Sequence, residues 1–259
     1  MGHVIKAALK LLPRLVVSYF AWILSYSGKH KDKIALETRY AKSRTLILHA
    51  NKALDNDVHI FGKENIPDEV CCFYGNHLGA CDPLPIFEAM EKPVAFVAKK
   101  EVKKMPFVGR IFEACGGLFL DRSDLKQQIE IMMKVEKSLT DREMNWFIFP
   151  EGTRNKDQMA RIQNFHNGSF RGAIRSRVPI VPVAIFSTFR LLKNKIKAKK
   201  YPTFVSFLKP ILPEEYEGKT PEEVAKMVYS RIQKEITFRL RLLDHEYMSK
   251  IKGYRFNEI

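Results

Sequence analysis

An imidazole and a carboxylate stand five positions apart in the stretch Gly75-Asn76-His77-Leu78-Gly79-Ala80-Cys81-Asp82-Pro83. A histidine can take a proton from a hydroxyl if something fixes its tautomer and supports the imidazolium that forms. A carboxylate hydrogen-bonded to Nδ1 does both. A second polar stretch, Phe149-Pro150-Glu151-Gly152-Thr153-Arg154, gathers a carboxylate, a flexible glycine, a hydroxyl and a guanidinium in one loop. Arginine suits bidentate recognition of phosphate, and Arg122 offers a second fork. No serine sits in a Gly-x-Ser-x-Gly elbow, so a covalent intermediate has no evident nucleophile. The simpler chemistry is direct attack by a substrate hydroxyl that His77 deprotonates.

Each motif also has a plainer reading. Asp82 before Pro83 looks like a helix N-cap followed by a first-turn proline, and a cap can still accept from an imidazole. Glu151 to Arg154 also reads as a surface turn closed by its own Glu–Arg ion pair. Of the four cysteines, Cys71, Cys72 and Cys81 crowd the His77 segment, which raises the question of a metal. Adjacent Cys71 and Cys72 on a strand point to opposite faces, and no C-x-x-C pair exists, so small buried residues in a reducing compartment are expected, with no metal.

These residues need a scaffold, and short apolar runs supply one. Val58–Phe61, Val70–Tyr74, Val94–Val97, Gly117–Leu120, Trp146–Phe149, Ile180–Ile185 and Phe204–Phe207 read as strands. Helical patterns alternate with them. Ser123 or Asp124 caps a helix carrying Leu125, Ile129, Met132, Met133 and Leu139. A last helix starts near Pro221 with Val224, Val228, Ile232, Ile236 and Leu240 on one face. The alternation predicts an α/β domain over residues 57–259, a mixed and mostly parallel sheet flanked by helices. In such sheets ligands gather at the carboxyl ends of strands, and His77, Arg122 and the Glu151 loop each follow a predicted strand.

The first 56 residues read differently. Val4 to Ser27 is mostly apolar, but Lys6, Lys10 and Arg14 recur every four residues as one basic stripe. The uninterrupted run Leu15–Leu24 is about half the length that spans a bilayer. The expectation is an amphipathic helix lying in the interface, with Tyr19, Phe20 and Trp22 among the lipids and Pro13 kinking or dividing it. A second helical stretch, roughly 33–54, would complete a membrane-facing module, peripheral or monotopic, on the cytoplasmic face. The net charge of +15 calls for an anionic partner. Lys193, Lys195, Lys197, Lys199 and Lys200 fit an anionic lipid surface, an acidic carrier protein or a charge-protected strand edge. A basic nucleic-acid or membrane-binding module without catalysis would explain the charge but not the histidine–aspartate pair. No helix-turn-helix, RRM or zinc signature supports it, so no nucleic acid is expected.

Four blocks occur in order: Asn76-His77-x-x-x-x-Asp82, Gly117-Leu118-Phe119-Leu120-Asp121-Arg122, Phe149-Pro150-Glu151-Gly152-Thr153-Arg154 and Val178-Pro179-Ile180-Val181-Pro182-Val183. In order and spacing they resemble the glycerolipid acyltransferase family, in its bacterial 1-acyl-sn-glycerol-3-phosphate acyltransferase branch. The resemblance covers roughly residues 70–187. It implies a membrane enzyme of phospholipid biosynthesis, moving an acyl chain from acyl-ACP or acyl-CoA to the 2-hydroxyl of lysophosphatidic acid. Its nearest rival acceptors are glycerol 3-phosphate or another lysophospholipid, and no cofactor is implied. By the same resemblance His77 is the general base, Asp82 its orienting partner, and Arg122 with Glu151, Gly152, Thr153 and Arg154 binds the glycerol phosphate. Val178–Val183 would shape an acyl tunnel or the sheet beneath it, and the Ala98–Glu101 and Pro106–Gly109 segments would stabilise an oxyanion. His166 stands where the family commonly has lysine in a Phe-Lys-x-Gly pattern.

Overall fold

The protein is seen in a computed structural model that describes residues 2–23, 26–27, 32–155, 162–192, 198–251 and 254. In chain order it runs α1 (Gly2–Ser18), a π-turn (Tyr19–Ile23), α2 (Leu36–Ala53), β1 (Asn56–Phe61), β2 (Cys72–Gly75), α3 (Pro83–Ala89) and β3 (Val94–Lys99). Then follow α4 (Lys100–Lys103), α5 (Val108–Ala114), β4 (Leu118–Leu120), α6 (Leu125–Thr140), β5 (Asn145–Ile148) and α7 (Arg171–Arg175). Next come β6 (Ile180–Phe186), a 3-10 turn (Thr188–Leu191), β7 (Tyr201–Phe207), α8 (Pro213–Tyr216), α9 (Pro221–Glu235), a second π-turn (Ile236–Leu240) and α10 (Arg241–Ser249).

The seven strands form one sheet in the order β1-β7-β6-β2-β5-β3-β4. Pairing is parallel throughout except where β7 runs antiparallel to β6. Helices cover both faces, and period-two side-chain alternation explains why both are apolar. Along β2, Cys72 and Tyr74 join Trp146, Val135, Val228 and Ile232 on one face. Cys71 and Phe73 join Phe147, Phe87, Ile86 and Tyr40 on the other. The two adjacent cysteines thus point apart, and all four cysteines are free and buried.

Two helix starts follow from local chemistry. Asp124, not Ser123, caps α6, accepting from Gln127 N at 3.0 Å. Thr220 and Glu223 form a capping box before α9, with Pro221 in its first turn. Val224, Val228, Ile232, Ile236 and Leu240 are all buried, as their spacing requires. On α6 the apolar set divides: Ile131, Val135 and Leu139 face the sheet, while Leu125, Ile129 and Met133 are exposed.

The N-terminal segment departs from expectation in two places. The first helix runs through Pro13 without being divided. Helix α2 turns its apolar face inward, since Tyr40, Leu46 and Ile47 lie in the core with Phe73 and Phe87. Two of its basic residues, Arg39 and Arg44, serve helix ends, where orphan carbonyls need donors. Arg44 donates to Phe87 O at 2.8 Å and Glu88 O at 2.9 Å, and Arg39 donates to Ala114 O at 2.8 Å. Along α1 and the π-turn after it, by contrast, Ile5, Leu9, Leu12, Val16 and Phe20 are exposed in an i, i+3, i+4 stripe. Ala7 and Leu11 on the opposite side pack against Cys81, Leu84, Leu191 and Tyr201. The side chains of Tyr19 and Trp22, and residues Lys193, Lys195 and Lys197, lie outside the described part. No described helix is long and apolar enough to cross a membrane.

Candidate active site

His77 leaves the carboxyl end of β2, and its Nδ1 meets Asp82 Oδ2 at 2.6 Å. Since the carboxylate can only accept, Nδ1 carries the proton and the lone pair is on Nε2. Asp82 is fully buried, whereas 18% of the His77 side chain is open. A buried charge must be compensated, and here it is. Asp82 accepts from Leu78 N at 2.7 Å, from Gly79 N at 3.0 and 3.1 Å, and from the Thr188 hydroxyl. The N-cap reading of Asp82 fails: its backbone is already helical and its side chain makes no capping bond to α3. The carboxylate turns back toward the loop before it, because His77, Leu78 and Gly79 all aim donors there.

The backbone of this loop is held from both neighbouring strands. Asn76 continues the ladder beyond β2 with its side chain: Nδ2 donates to Ile185 O at 2.9 Å and Oδ1 accepts from Ile185 N at 2.8 Å. Gly75 just before it has no room for a Cβ, which would fall 2.6 Å from the Phe147 ring. From β5, Glu151 Oε1 accepts from His77 N at 2.6 Å, and Asn155 N donates to His77 O at 2.8 Å. The Phe149 ring stacks on the imidazole at 4.3 Å between centroids. His77 is therefore fixed on its main chain, its ring face and its Nδ1, which leaves Nε2 without a described protein partner.

Glu151 is not a surface-turn residue paired with Arg154. It is only 3% exposed, and its second oxygen accepts from Gln163 N at 2.9 Å. Burial pushes its carboxyl up to about 7, against the pull of the two backbone donors. Gly152 turns the chain at φ +64°, and a Cβ there would lie 2.8 Å from the His166 ring. His166, itself exposed, is thus laid against this loop, with its backbone N donating to Pro150 O at 2.8 Å. Beyond the glycine the character changes: Thr153 and Arg154 are exposed.

Arg122 follows β4 and reaches the same sheet edge, but β4 stands three strands from β2, roughly 14 Å across the ladder. The structure brings His77, Asp82 and Glu151 into direct contact and leaves Arg122 on the flank. Asp121 beside it is held down to about 2 by Lys100 and Ser123, so it does not consume the guanidinium. Lys100 is engaged there. Val178–Val183 enters β6, in the sheet beneath the site, where Cys72 to Gly75 pair with Ile180 to Val183. Cys81, next to Asp82, is no nucleophile: burial pushes its thiol up to about 12, with the Asp82 charge adding to the shift. The residues missed in the sequence are Phe149 as a stacking partner, Asn155, Gln163 and Thr188, none of which carries a local signal of its role.

A helix-flanked parallel sheet with a histidine–aspartate pair at a strand end defines the class. The family model described as Acyltransferase matches residues 57–186, and the chain belongs to that family. Membership in an acyltransferase family weighs against the non-catalytic basic module. The 1-acyl-sn-glycerol-3-phosphate acyltransferase of Saccharomyces cerevisiae is 30% identical over 159 residues, covering 61% of this chain and 52% of that protein. The protein of the same name from Haemophilus influenzae is 28% identical over 152 residues, covering 59% and 61%. The mouse alpha form is 26% identical over 217 residues, covering 82% and 75%. The chain spans little more than half the length of the yeast protein and of the coconut protein, 52% and 57%. In fold it is similar to the crystal structure of the 1-acyl-sn-glycerophosphate (LPA) acyltransferase PlsC from Thermotoga maritima. That likeness has a TM-score of 0.69 and 24% identity, over 91% of this chain and 96% of that one.

Proposed function

We propose that the protein transfers an acyl chain from a thioester, acyl-ACP or acyl-CoA, to the 2-hydroxyl of lysophosphatidic acid, forming phosphatidic acid. The observation that carries this reading is the His77–Asp82 bond at 2.6 Å, which leaves Nε2 without a described protein partner. The acceptor hydroxyl gives its proton to Nε2 as its oxygen attacks the thioester carbonyl. The imidazolium is supported by the buried Asp82 charge, and the tetrahedral intermediate collapses by expelling the thiolate, which takes that proton. No bond to the enzyme forms. Arg154 and Thr153 meet the acceptor phosphate, His166 adds a donor over Gly152, and Arg122 closes the flank. Glu151 acts as a strut for His77, not as a ligand, because both its oxygens are taken by backbone donors.

The exposed stripe of α1 holds the enzyme on the cytoplasmic face of an anionic membrane, where the acceptor and product reside. Lys6, Lys10 and Arg14 on the same helix supply attraction to anionic headgroups. The names of the relatives support lysophosphatidic acid over other acceptors.

A donor-by-acceptor matrix, read by thiol release from purified full-length protein, tests the reading. Lysophosphatidic acid is expected to drive release far faster than glycerol 3-phosphate or other lysophospholipids, and His77→Ala to slow it by about 10³-fold. Turnover retained in His77→Ala, or release driven by glycerol 3-phosphate alone, overturns it.

A further inference from the structure

The Asp82 carboxylate has two oxygens with different duties. Oδ2 receives His77 Nδ1, Leu78 N and Gly79 N, all from its own loop. Oδ1 shares the Gly79 N–H, at 3.1 Å, and receives the Thr188 hydroxyl, which among the described residues is the one donor that reaches the carboxylate from outside that loop. A carboxylate turns about its terminal bond with a shallow, two-fold preference, so pinning one oxygen decides where the other points. Thr188 sits 106 residues away in sequence, in the turn after β6, and is fully buried.

That turn is itself held under load. Ser187, just before Thr188, has φ +71°, a left-handed conformation that a non-glycine residue adopts only when its surroundings demand it. The demand comes from α10. Asp244 accepts from the Ser187 hydroxyl and from Arg190, whose second nitrogen lies 2.8 Å from Oδ2. Arg190 also donates to the Ser187 hydroxyl at 2.6 Å. Arg190 and Asp244 are almost wholly buried, so this pair is committed to position rather than to surface charge. The turn lies against the loop of the dyad, since a Cβ on Gly79 would stand 3.5 Å from Phe189 Cα.

We propose that Thr188 is a positioning residue for the His77–Asp82 pair, locked in place by the buried Ser187, Arg190 and Asp244 cluster. The proposal rests on the acyl-transfer reading for its effect on rate, while its effect on the imidazole can be read without any substrate. The C-terminal helix is then part of the base's alignment, although it supplies no group that touches the reacting atoms.

The test is a pair of near-isosteric variants in the full chain, Thr188→Val and Thr188→Ser, with Asp244→Asn as a second route to the same turn. Thr188→Val is expected to lower kcat by about tenfold to a hundredfold, the loss of one bond to a charged acceptor, with KM for both substrates unchanged. Thr188→Ser restores most of the rate. In ¹⁵N-histidine NMR spectra of the free protein, the His77 Nδ1–H signal is sharp in wild type and Thr188→Ser and broadened or lost in Thr188→Val and Asp244→Asn. Wild-type kcat together with a wild-type His77 spectrum in Thr188→Val overturns the proposal. So does a Thr188→Ser variant as slow as Thr188→Val, which would assign the effect to the methyl group's packing. If wild type itself transfers no acyl chain, the function reading falls while the spectra still decide the placement of Thr188.

Discussion

On one side of His77 lie Asp82, Glu151, Asn155 and Phe149, buried or stacked, with their polar atoms engaged by named partners. The second group at this sheet edge, Thr153, Arg154 and Arg122, is exposed, with no described partner for either guanidinium. The first side is finished before any substrate arrives. The second, in the function proposed, is completed by the acceptor's phosphate. This division matches what proton transfer and phosphate recognition ask of a protein. A base must be held in one orientation, and buried hydrogen bonds do that because leaving any of them unmade is costly. A site for a phosphate must leave its donors free, and exposure keeps their desolvation cost low until binding. A similar contrast recurs on a larger scale: Arg39 and Arg44 of α2 are spent on helix ends, whereas the apolar stripe of α1 is exposed.

The comparison breaks first at Glu151, where the finished side carries a titratable group. Glu151→Gln turns one acceptor into a donor facing a backbone N–H, and kcat is expected to fall by about a hundredfold with KM little changed. The pH dependence has opposite signs for stability and rate. The native carboxyl, near 7, binds its proton more tightly than an ordinary glutamic acid near 4.5. The stability this provides is present in full below 4.5 and is lost as pH rises through about 7, on the order of 3 kcal/mol. Activity runs the other way, because both oxygens accept only when the group is ionised. Chemical denaturation and kcat, each followed from pH 4.5 to 8, should therefore diverge in wild type. The wild-type-minus-Gln difference should show both slopes. A flat difference would remove Glu151 from the His77 support.

The awaiting side gives smaller effects and a different signature. Leu9→Glu with Leu12→Glu on α1 should weaken sedimentation with anionic vesicles by at least about thirtyfold, from the apolar burial of two leucines. Turnover on a short, water-soluble acceptor should not change, since neither residue lies in the core. Unchanged vesicle binding would refute the anchor. Arg154→Ala is expected to raise KM for the phosphorylated acceptor by about tenfold, and Arg122→Ala, farther along the edge, by about threefold, with thermal stability unmoved in both. Steady-state kinetics with a calorimetric control decide this. If Arg122→Ala proves the more severe, the acceptor spans the edge instead of resting on the Glu151 loop.

Much of this architecture was legible. Each of the seven strands was visible as an apolar run, most plainly β2, β5, β6 and β7, because a strand buried on both faces must be apolar along its length, while the edge strands β1 and β4 are only half-buried. The four motif blocks were visible as words. Less legible was which way a helix faces. Leu125, Ile129 and Met133 share a helical stripe that periodicity alone reads as core, yet α6 turns it outward. The basic and apolar residues of α2 read as interfacial, yet they dock on α3 and α5. Periodicity reports that a face is distinct, not what lies against it.

By itself the sequence determined the residue types capable of the chemistry, and placed them after β2, β4 and β5 of a mostly parallel sheet. Chain direction in such a sheet puts those strand ends at one edge, so their shared edge followed from order alone. Only the tertiary structure decided what each residue does there. It turned Glu151 inward beneath His77 and left Arg154 outside it. It brought Thr188 and the last helix to the back of Asp82, across more than a hundred residues of chain. Local propensities act over a few residues, but a hydrogen bond to a buried carboxylate depends on which segments the core packs together, and no short stretch of sequence records that.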